Sequence, residues 1–201
     1  MQHEPDVKIC GLRKADDVKA AVSAGADAVG FVFAESVRRV SPAEAQKLTQ
    51  YLPKRVRRVA VMRHPTQTEW QEVLDTFAPD VLQTDIDDFE TLDVPDSVER
   101  WPVIREGWAG IDGGLPDVFL YEGIRSGAGQ TVDWQRAAEI AKRGRMILAG
   151  GLGIDNIATA IKTVHPHGVG VSSGVESRPG RKDPGLIRLF IRAARAVEKQ
   201  A

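Results

Sequence analysis

Val7-Lys8-Ile9-Cys10-Gly11-Leu12, close to the N-terminus, is the stretch on which the fold turns. It is apolar and strand-like, ends at a glycine, and carries the only cysteine among 201 residues. It reads as the first strand of a closed barrel with Cys10 at the rim. Outward from it, short apolar runs alternate with helix-period segments. Residues 15–24 read as a helix with Val18, Ala21 and Val22 on one face, stopped by Gly25. Residues 28–33, Ala-Val-Gly-Phe-Val-Phe, are apolar on both faces, as a buried parallel strand requires. Ser41-Pro42-Ala43-Glu44 is a capping box with proline at the first helical position, and Ala45, Leu48 and Leu52 follow on one face. Residues 58–62 form a third strand. Thr66-Gln67-Thr68-Glu69 is a second capping box, followed by Trp70, Val73, Leu74 and Phe77 at helical spacing.

The pattern continues with strands at 80–83 and 101–104 and a short helix at 87–92 between them. Residues 105–117 hold glycines, a proline and little periodicity, which leaves no room for a normal helix. Strands at 118–121, 146–149 and 168–171 follow. Between them lie a helix at 134–142 and a stripe of Ile154, Ile157, Ala158 and Ile161. Asp183-Pro184 opens a last helix, with Leu186, Leu189, Phe190, Ala193 and Val197 on its inner face. Strands separated by helices imply parallel pairing with right-handed crossovers. Eight such units define an α/β fold of the (β/α)₈ TIM-barrel type, a single domain over residues 1–201 with the fifth helix missing or replaced by a loop. No Gly-x-Gly-x-x-Gly follows the first strand, which counts against an open dinucleotide-binding sheet.

Composition narrows the function. A net charge of −1 with 42% hydrophobic residues supplies one sizeable core and no basic face for nucleic acid or an anionic membrane. No apolar run approaches the roughly 20 residues of a membrane span, and residues 1–6 lack the features of a secretory signal. A single cysteine fits a reducing, cytoplasmic compartment. The four histidines show no zinc-site spacing, and His165-Pro166-His167 reads as a polar turn. The expected partner is a small molecule.

In a (β/α)₈ barrel the chemistry sits where strands end and the following loops begin. That places Cys10, the 35–39 loop, Asp85, Glu122, Gly150-Gly151 and Ser172-Ser173-Gly174 at one end. Glycines after the seventh and eighth strands fit the usual phosphate-binding loops of the fold, with Gly127 and Gly129 after the sixth as further contributors. Their bland reading is simply strand termination. Arg38 and Arg39 read either as surface charges or as anion binders. Glu122 reads as a solvated carboxylate or as an acid–base group facing the first strand across the mouth. A lone cysteine in an apolar run is more often a small buried hydrophobe. Strand period, however, puts Lys8 and Cys10 on one face, and an inward ammonium there would favour the thiolate.

Taken together, Lys8–Leu12, 25–33, Ser36-Val37-Arg38-Arg39-Val40-Ser41-Pro42, Val132-Asp133-Trp134, 147–152 and 171–177 resemble the phosphoribosylanthranilate isomerase family of tryptophan biosynthesis. The resemblance runs in order from Val7 to about Ala194 and is weak from Arg63 to Asp117. It implies an isomerase catalysing the Amadori rearrangement of N-(5'-phosphoribosyl)anthranilate to 1-(2-carboxyphenylamino)-1-deoxyribulose 5-phosphate, with no metal or organic cofactor. By the same resemblance Cys10 is the general base and Glu122 the general acid. Arg38 meets the anthranilate carboxylate, Gln83 and Asp85 lie beside the substrate, and Gly150, Gly151, Ser172, Ser173 and Gly174 hold the phosphate. Monomers and homodimers both occur on this scaffold. A related barrel isomerase for another phosphorylated aminosugar or ketose, and a non-catalytic phosphate-ligand binding protein, are the alternatives.

Three residues depart from the family pattern. Glu122 stands where the family usually has aspartate. Asp85 falls where Gln-Leu-His-Gly is usual and this chain reads Gln83-Thr84-Asp85-Ile86. Gly170 stands where the strand-eight motif usually has aspartate, and Asp85 is the candidate to replace that lost carboxylate.

Overall fold

The computed structural model describes residues 4–124 and 130–197. Eight parallel strands close in chain order into a barrel. They are β1 (Asp6–Cys10), β2 (Ala28–Val32), β3 (Arg57–Val61), β4 (Val81–Asp85), β5 (Glu99–Arg105), β6 (Val118–Glu122), β7 (Arg145–Leu148) and β8 (Gly168–Val171). Closure is made by β1 against β8, with Lys8 opposite Gly170 and Ile9 opposite Val171. The helices described are α1 (Ala15–Ala24), α2 (Pro42–Thr49), α3 (Gln67–Phe77), α4 (Trp134–Ala141), α5 (Ile157–Val164) and α6 (Pro184–Arg195). The eight-strand reading and the missing fifth helix both hold. Short 3₁₀ turns, Ile86–Glu90 and Ala109–Asp112, stand after β4 and β5.

Local chemistry explains these elements. Ser41 and Thr66 each close a reciprocal capping box, with Glu44 and Glu69 returning hydrogen bonds to the cap backbone. Asp133 and Asp183 cap α4 and α6 by accepting two backbone N–H bonds each. Gly25 ends α1 at φ 95°, a left-handed conformation that a Cβ disfavours. Behind the strands, Ile9, Phe31, Trp70, Phe77, Phe119 and Phe190 are fully buried between barrel and helices.

Two helix faces differ from the sequence reading. In α5 Ile157 and Ile161 are buried as read and Ile154 packs on the core just before the helix, but Ala160 and Val164 complete the face while Ala158 is exposed. Asn156 sets this start, because its Oδ1 accepts from Gly153 N at 2.9 Å and holds the turn one step later. In α6 the buried face is Ile187, Phe190, Ile191 and Ala194, and Leu189 is half exposed. The stripe is rotated by about one residue, because several adjacent apolar residues made two faces look equally good. A short antiparallel hairpin, β9 (Glu176–Arg178) and β10 (Arg181–Lys182), was also not anticipated.

Inside the barrel, Ala28, Val59, Val81, Trp101, Val103, Val118, Leu120, Ile147 and Ala149 form a second apolar cluster. The N-terminal end is closed by Arg57, which bonds Asp6 at 2.6 Å and Glu99 at 3.2 Å and lies 4.9 Å from the Trp101 ring centre. The interior is therefore packed rather than a channel, and chemistry is confined to the opposite rim. Among the described residues no helix is long and apolar enough to cross a membrane.

Trp70 is fully buried and donates through Nε1 to Asp93 O at 3.0 Å. Trp70→Ala is expected to lower the unfolding free energy by about 3–5 kcal/mol, read by urea denaturation; a loss under about 1 kcal/mol would contradict the packing described.

Candidate active site

β1 alternates sides, so Lys8 and Cys10 point into the barrel and Val7 and Ile9 point out to the helices. Lys8 is only 3% exposed. An ammonium so buried requires partners, and it finds two. Its Nζ donates to Gln83 Oε1 on β4 and lies 3.4 Å from Cys10 Sγ. Gly30 on β2 makes the room, since a Cβ there would lie 2.9 Å from Lys8 Cε and 3.1 Å from Cys10 Sγ. Alanine at position 30 would push into both side chains.

These residues open on a cleft at the C-terminal rim. Lys8, Cys10, Gln83, Leu120, Glu122, Ala149, Gly150, Gly151, Gly170, Ser172 and Ser173 line it. The loops after β7 and β8 form one wall. Gly150 and Gly151 adopt φ of 88° and 62°, and a Cβ on Gly151 would come within 2.6 Å of Thr131 N. A Cβ on Gly174 would lie 2.0 Å from Leu152 O, so the two loops touch backbone to backbone. Asn156 Nδ2 donates to Gly151 O at 2.8 Å and pins the first loop. Gly127 and Gly129 lie outside the described residues.

Arg38 stands at the rim beside this cleft. Its Nε and Nη2 donate to the two oxygens of Glu176 at 2.7 and 2.8 Å, a bidentate fork. Lys182 Nζ, with its side chain 1% exposed, donates to the same carboxylate at 2.6 Å and to Ser172 O at 2.9 Å. Gly180 N adds a fourth bond to Glu176 at 3.1 Å. The hairpin β9–β10 is thus a strap that ties the loop after β2 to the loop after β8. Burial alone would raise the Glu176 carboxyl, but hydrogen bonds from Arg38 and Lys182 outweigh it and hold the pKa at about 2. Burial pulls the Lys182 ammonium down against the opposing pull of Glu176. The Glu176 bond raises the Arg38 guanidinium further.

The opposite rim carries a second charged group. Arg105, at the end of β5, donates from Nη1 to Glu122 Oε1 at 2.7 Å and from Nη2 to Asp85 Oδ1 at 2.6 Å. Asp85 Oδ2 also meets His64 Nε2 at 3.3 Å, while His64 Nδ1 meets Asp88 at 2.9 Å. His64, Asp85 and Asp88 bring their ligand atoms within 4.8 Å of one another. Each of those three already has a side-chain partner, so the group is a chain of satisfied polar contacts.

The structure therefore brings Cys10, Gln83, Glu122, Gly150, Gly151, Ser172 and Ser173 to one cleft. It sets Asp85 behind Arg105 rather than on the cleft wall, and it couples Arg38 to Glu176. The sequence reading missed Glu176, Lys182 and Arg105. The signal available for the first two was a pair of charges, six residues apart, flanking Pro179-Gly180, which is a turn signature. Arg105 carried no local signal, because its partners come from two other strands.

Fold and site together define a (β/α)₈ barrel that carries a thiol and a carboxyl on one cleft beside glycine loops. Residues 7–193 match the family model described as N-(5'phosphoribosyl)anthranilate (PRA) isomerase. An N-(5'-phosphoribosyl)anthranilate isomerase of Streptococcus mutans is 39% identical over 191 residues, covering 94% of this chain and 98% of that protein. One of Listeria monocytogenes is 37% identical over 210 residues, covering 96% and 99%. The crystal structure of phosphoribosyl anthranilate isomerase from Thermotoga maritima superposes with a TM-score of 0.84 at 30% identity, covering 94% of this chain and 98% of that one. A phosphoribosyl anthranilate isomerase in complex with reduced 1-(o-carboxyphenylamino)-1-deoxyribulose 5-phosphate superposes at 0.81 and 30%. This chain belongs to the N-(5'-phosphoribosyl)anthranilate isomerase family.

A carboxyl whose folded pKa of about 2 lies below its ordinary 4.5 stabilises the fold above about pH 4.5, and that stability is lost as pH falls towards 2. Glu176→Gln is therefore expected to be less stable than the parent at pH 7, with the difference shrinking between about pH 4.5 and 2. Urea denaturation across that range checks it. A pH-independent difference would contradict the ion-pair reading.

Proposed function

We propose that Cys10 and Glu122 are the base and the acid of the family's reaction in this chain. The family makes it an isomerase of tryptophan biosynthesis. The single observation that carries the assignment is that thiol and carboxyl line one cleft with the glycine and serine loops after β7 and β8.

On this reading the 5-phosphate of N-(5'-phosphoribosyl)anthranilate sits against Gly150, Gly151, Ser172, Ser173 and Gly174, with Gly127 and Gly129 assigned to the same group. Glu122 gives its proton to the furanose ring oxygen. The C1–O bond breaks, its electrons stay on that oxygen, and the nitrogen lone pair forms the C1=N bond of a Schiff base. Cys10, as thiolate, then takes the C2 proton. The released pair forms C1=C2, and the C1=N electrons return to nitrogen, giving an enolamine. Transfer of the enol proton to C1 yields the ketone at C2. Lys8, fixed by Gln83, holds an ammonium against the sulfur and steadies it. Arg38 supplies the cation for the anthranilate carboxylate and, held by Glu176, is already ordered before substrate arrives. No step requires a metal or organic cofactor. Gln83 and Asp85 border the ribose side, Gln83 from the cleft wall and Asp85 through Arg105.

Cys10→Ala and Glu122→Ala are each expected to lower kcat by at least about 100-fold, with the fold intact by circular dichroism, measured as loss of substrate fluorescence. Full activity in either variant would remove the assigned role. Glu122→Asp is expected to lose activity as well, because the acid is withdrawn by one methylene, and displacement of about 1 Å costs roughly 100-fold. Equal activity with Asp would show that the longer side chain is merely tolerated.

A further inference from the structure

Glu122 is one methylene longer than the family's usual aspartate and has one more rotatable bond to fix. The structure supplies a restraint from the neighbouring strand. Arg105 pairs in register with Glu122 across β5 and β6, and both side chains turn to the rim at the same level. The planar guanidinium takes Glu122 Oε1 at 2.7 Å on one nitrogen and Asp85 Oδ1 at 2.6 Å on the other. Asp85 belongs to β4, so three consecutive strands are clamped at their C-terminal ends. The Arg105 side chain is 21% exposed, and the two carboxylates 13% each. At that depth ion pairs are screened less than on an open surface.

The clamp is itself anchored. Asp85 Oδ2 meets His64 Nε2 at 3.3 Å, His64 Nδ1 meets Asp88 at 2.9 Å, and Thr84 Oγ1 donates to Asp88. His64 N donates to Asp88 as well, at 3.0 Å. A chain of polar contacts thus runs from the loop after β3, through β4, to the guanidinium. Arg105 is fixed from behind by Asp85 and presents a directed donor to the carboxyl in front.

Geometry gives a second reason for an arginine here. Its planar fork sets the spacing of the two carboxyl groups in a way a flexible ammonium does not.

We infer that Arg105 is a positioning residue for the isomerisation. It orients Glu122 for proton donation to the ring oxygen and draws its own orientation from Asp85. The inference rests on the reading of Glu122 as the acid. It makes the two departures at positions 85 and 122 parts of one device: Asp85 holds Arg105, and Arg105 aims the longer acid. Among the described residues Arg105 bonds Glu122 and Asp85, and the inference is that its effect passes through Glu122.

A kinetic double-mutant cycle tests it, with purified full-length protein and N-(5'-phosphoribosyl)anthranilate as substrate. Arg105→Met is expected to lower kcat about 100-fold, the scale of a misplaced catalytic group, with KM rising less than kcat falls. Arg105→Lys, which keeps the charge and loses the fork, is expected to restore only part of the loss. In the Glu122→Ala background the same Arg105→Met change is expected to alter kcat less than about threefold, because the group it aims is gone. A kcat within about threefold of the parent for Arg105→Met, or an equal loss in both backgrounds, would overturn the inference while leaving Glu122 as the acid. Full activity of Glu122→Ala alone would instead remove the acid assignment. Should Arg105→Met fail to fold, Arg105→Lys decides alone: a loss of tenfold or more in kcat supports positioning, and parental kcat overturns it.

Discussion

A parallel barrel strand can send only alternate residues inward, and the rest of the site depends on that constraint. Lys8 and Cys10 share one parity on β1, and Ile9 takes the other, into the helix layer. The same alternation sends Gln83, Leu120, Glu122, Ala149 and Gly170 to the interior from β4, β6, the β7 end and β8. A one-residue slip of β1 would bury the thiol among helices and place Ile9 in the cleft. Register against β2 and β8 prevents it, with Cys10 opposite Gly30 and Lys8 opposite Gly170. Glycine on β2 is what permits an ammonium and a thiol to lie side by side in a packed barrel.

Once register is set, two sets of charges organise the rim from opposite sides. On the β1–β8 side, Glu176 gathers Arg38, Lys182 and a backbone N–H, so the loop after β2 and the strap after β8 are tied together. On the β4–β6 side, Arg105 gathers Asp85 and Glu122. Removing one partner from such a buried set leaves an uncompensated charge, which is why these groups act as determinants of geometry more than as sources of net stability. Between the two sets lies the cleft, walled by loops whose glycines allow backbone-to-backbone approach at Gly174 and Leu152.

The barrel was legible because its signals are local. Both-faces-apolar runs such as residues 28–33, two capping boxes and proline after a cap each declare an element within a few residues. Strand order then follows from the alternation. Cys10, Glu122 and the glycine loops were legible because a strand end is a place in the sequence as well as in the fold. The stripe of α6 was misplaced by about one position and Ala158 of α5 was set on the wrong face, since contiguous apolar residues satisfy two rotations and only packing against the barrel chooses. Arg105 and the strap stayed hidden for a different reason. The partners of Arg105 and of Arg38 lie 17 to 138 residues away, and a charge looks alike in the sequence whether it faces water or a carboxylate. The departures at Asp85 and Glu122 were visible as departures, but their connection through Arg105 required the register of three strands.

The account comes down to one reaction at one cleft. Its most direct test is turnover by the purified protein of freshly prepared N-(5'-phosphoribosyl)anthranilate, followed by loss of fluorescence, beside a phosphorylated aminoaldose that lacks the anthranilate ring. The account predicts rapid conversion of the first to the aminoketose and little or none of the second. Conversion of the second alone, or tight binding of the aminoketose product without turnover, would contradict it.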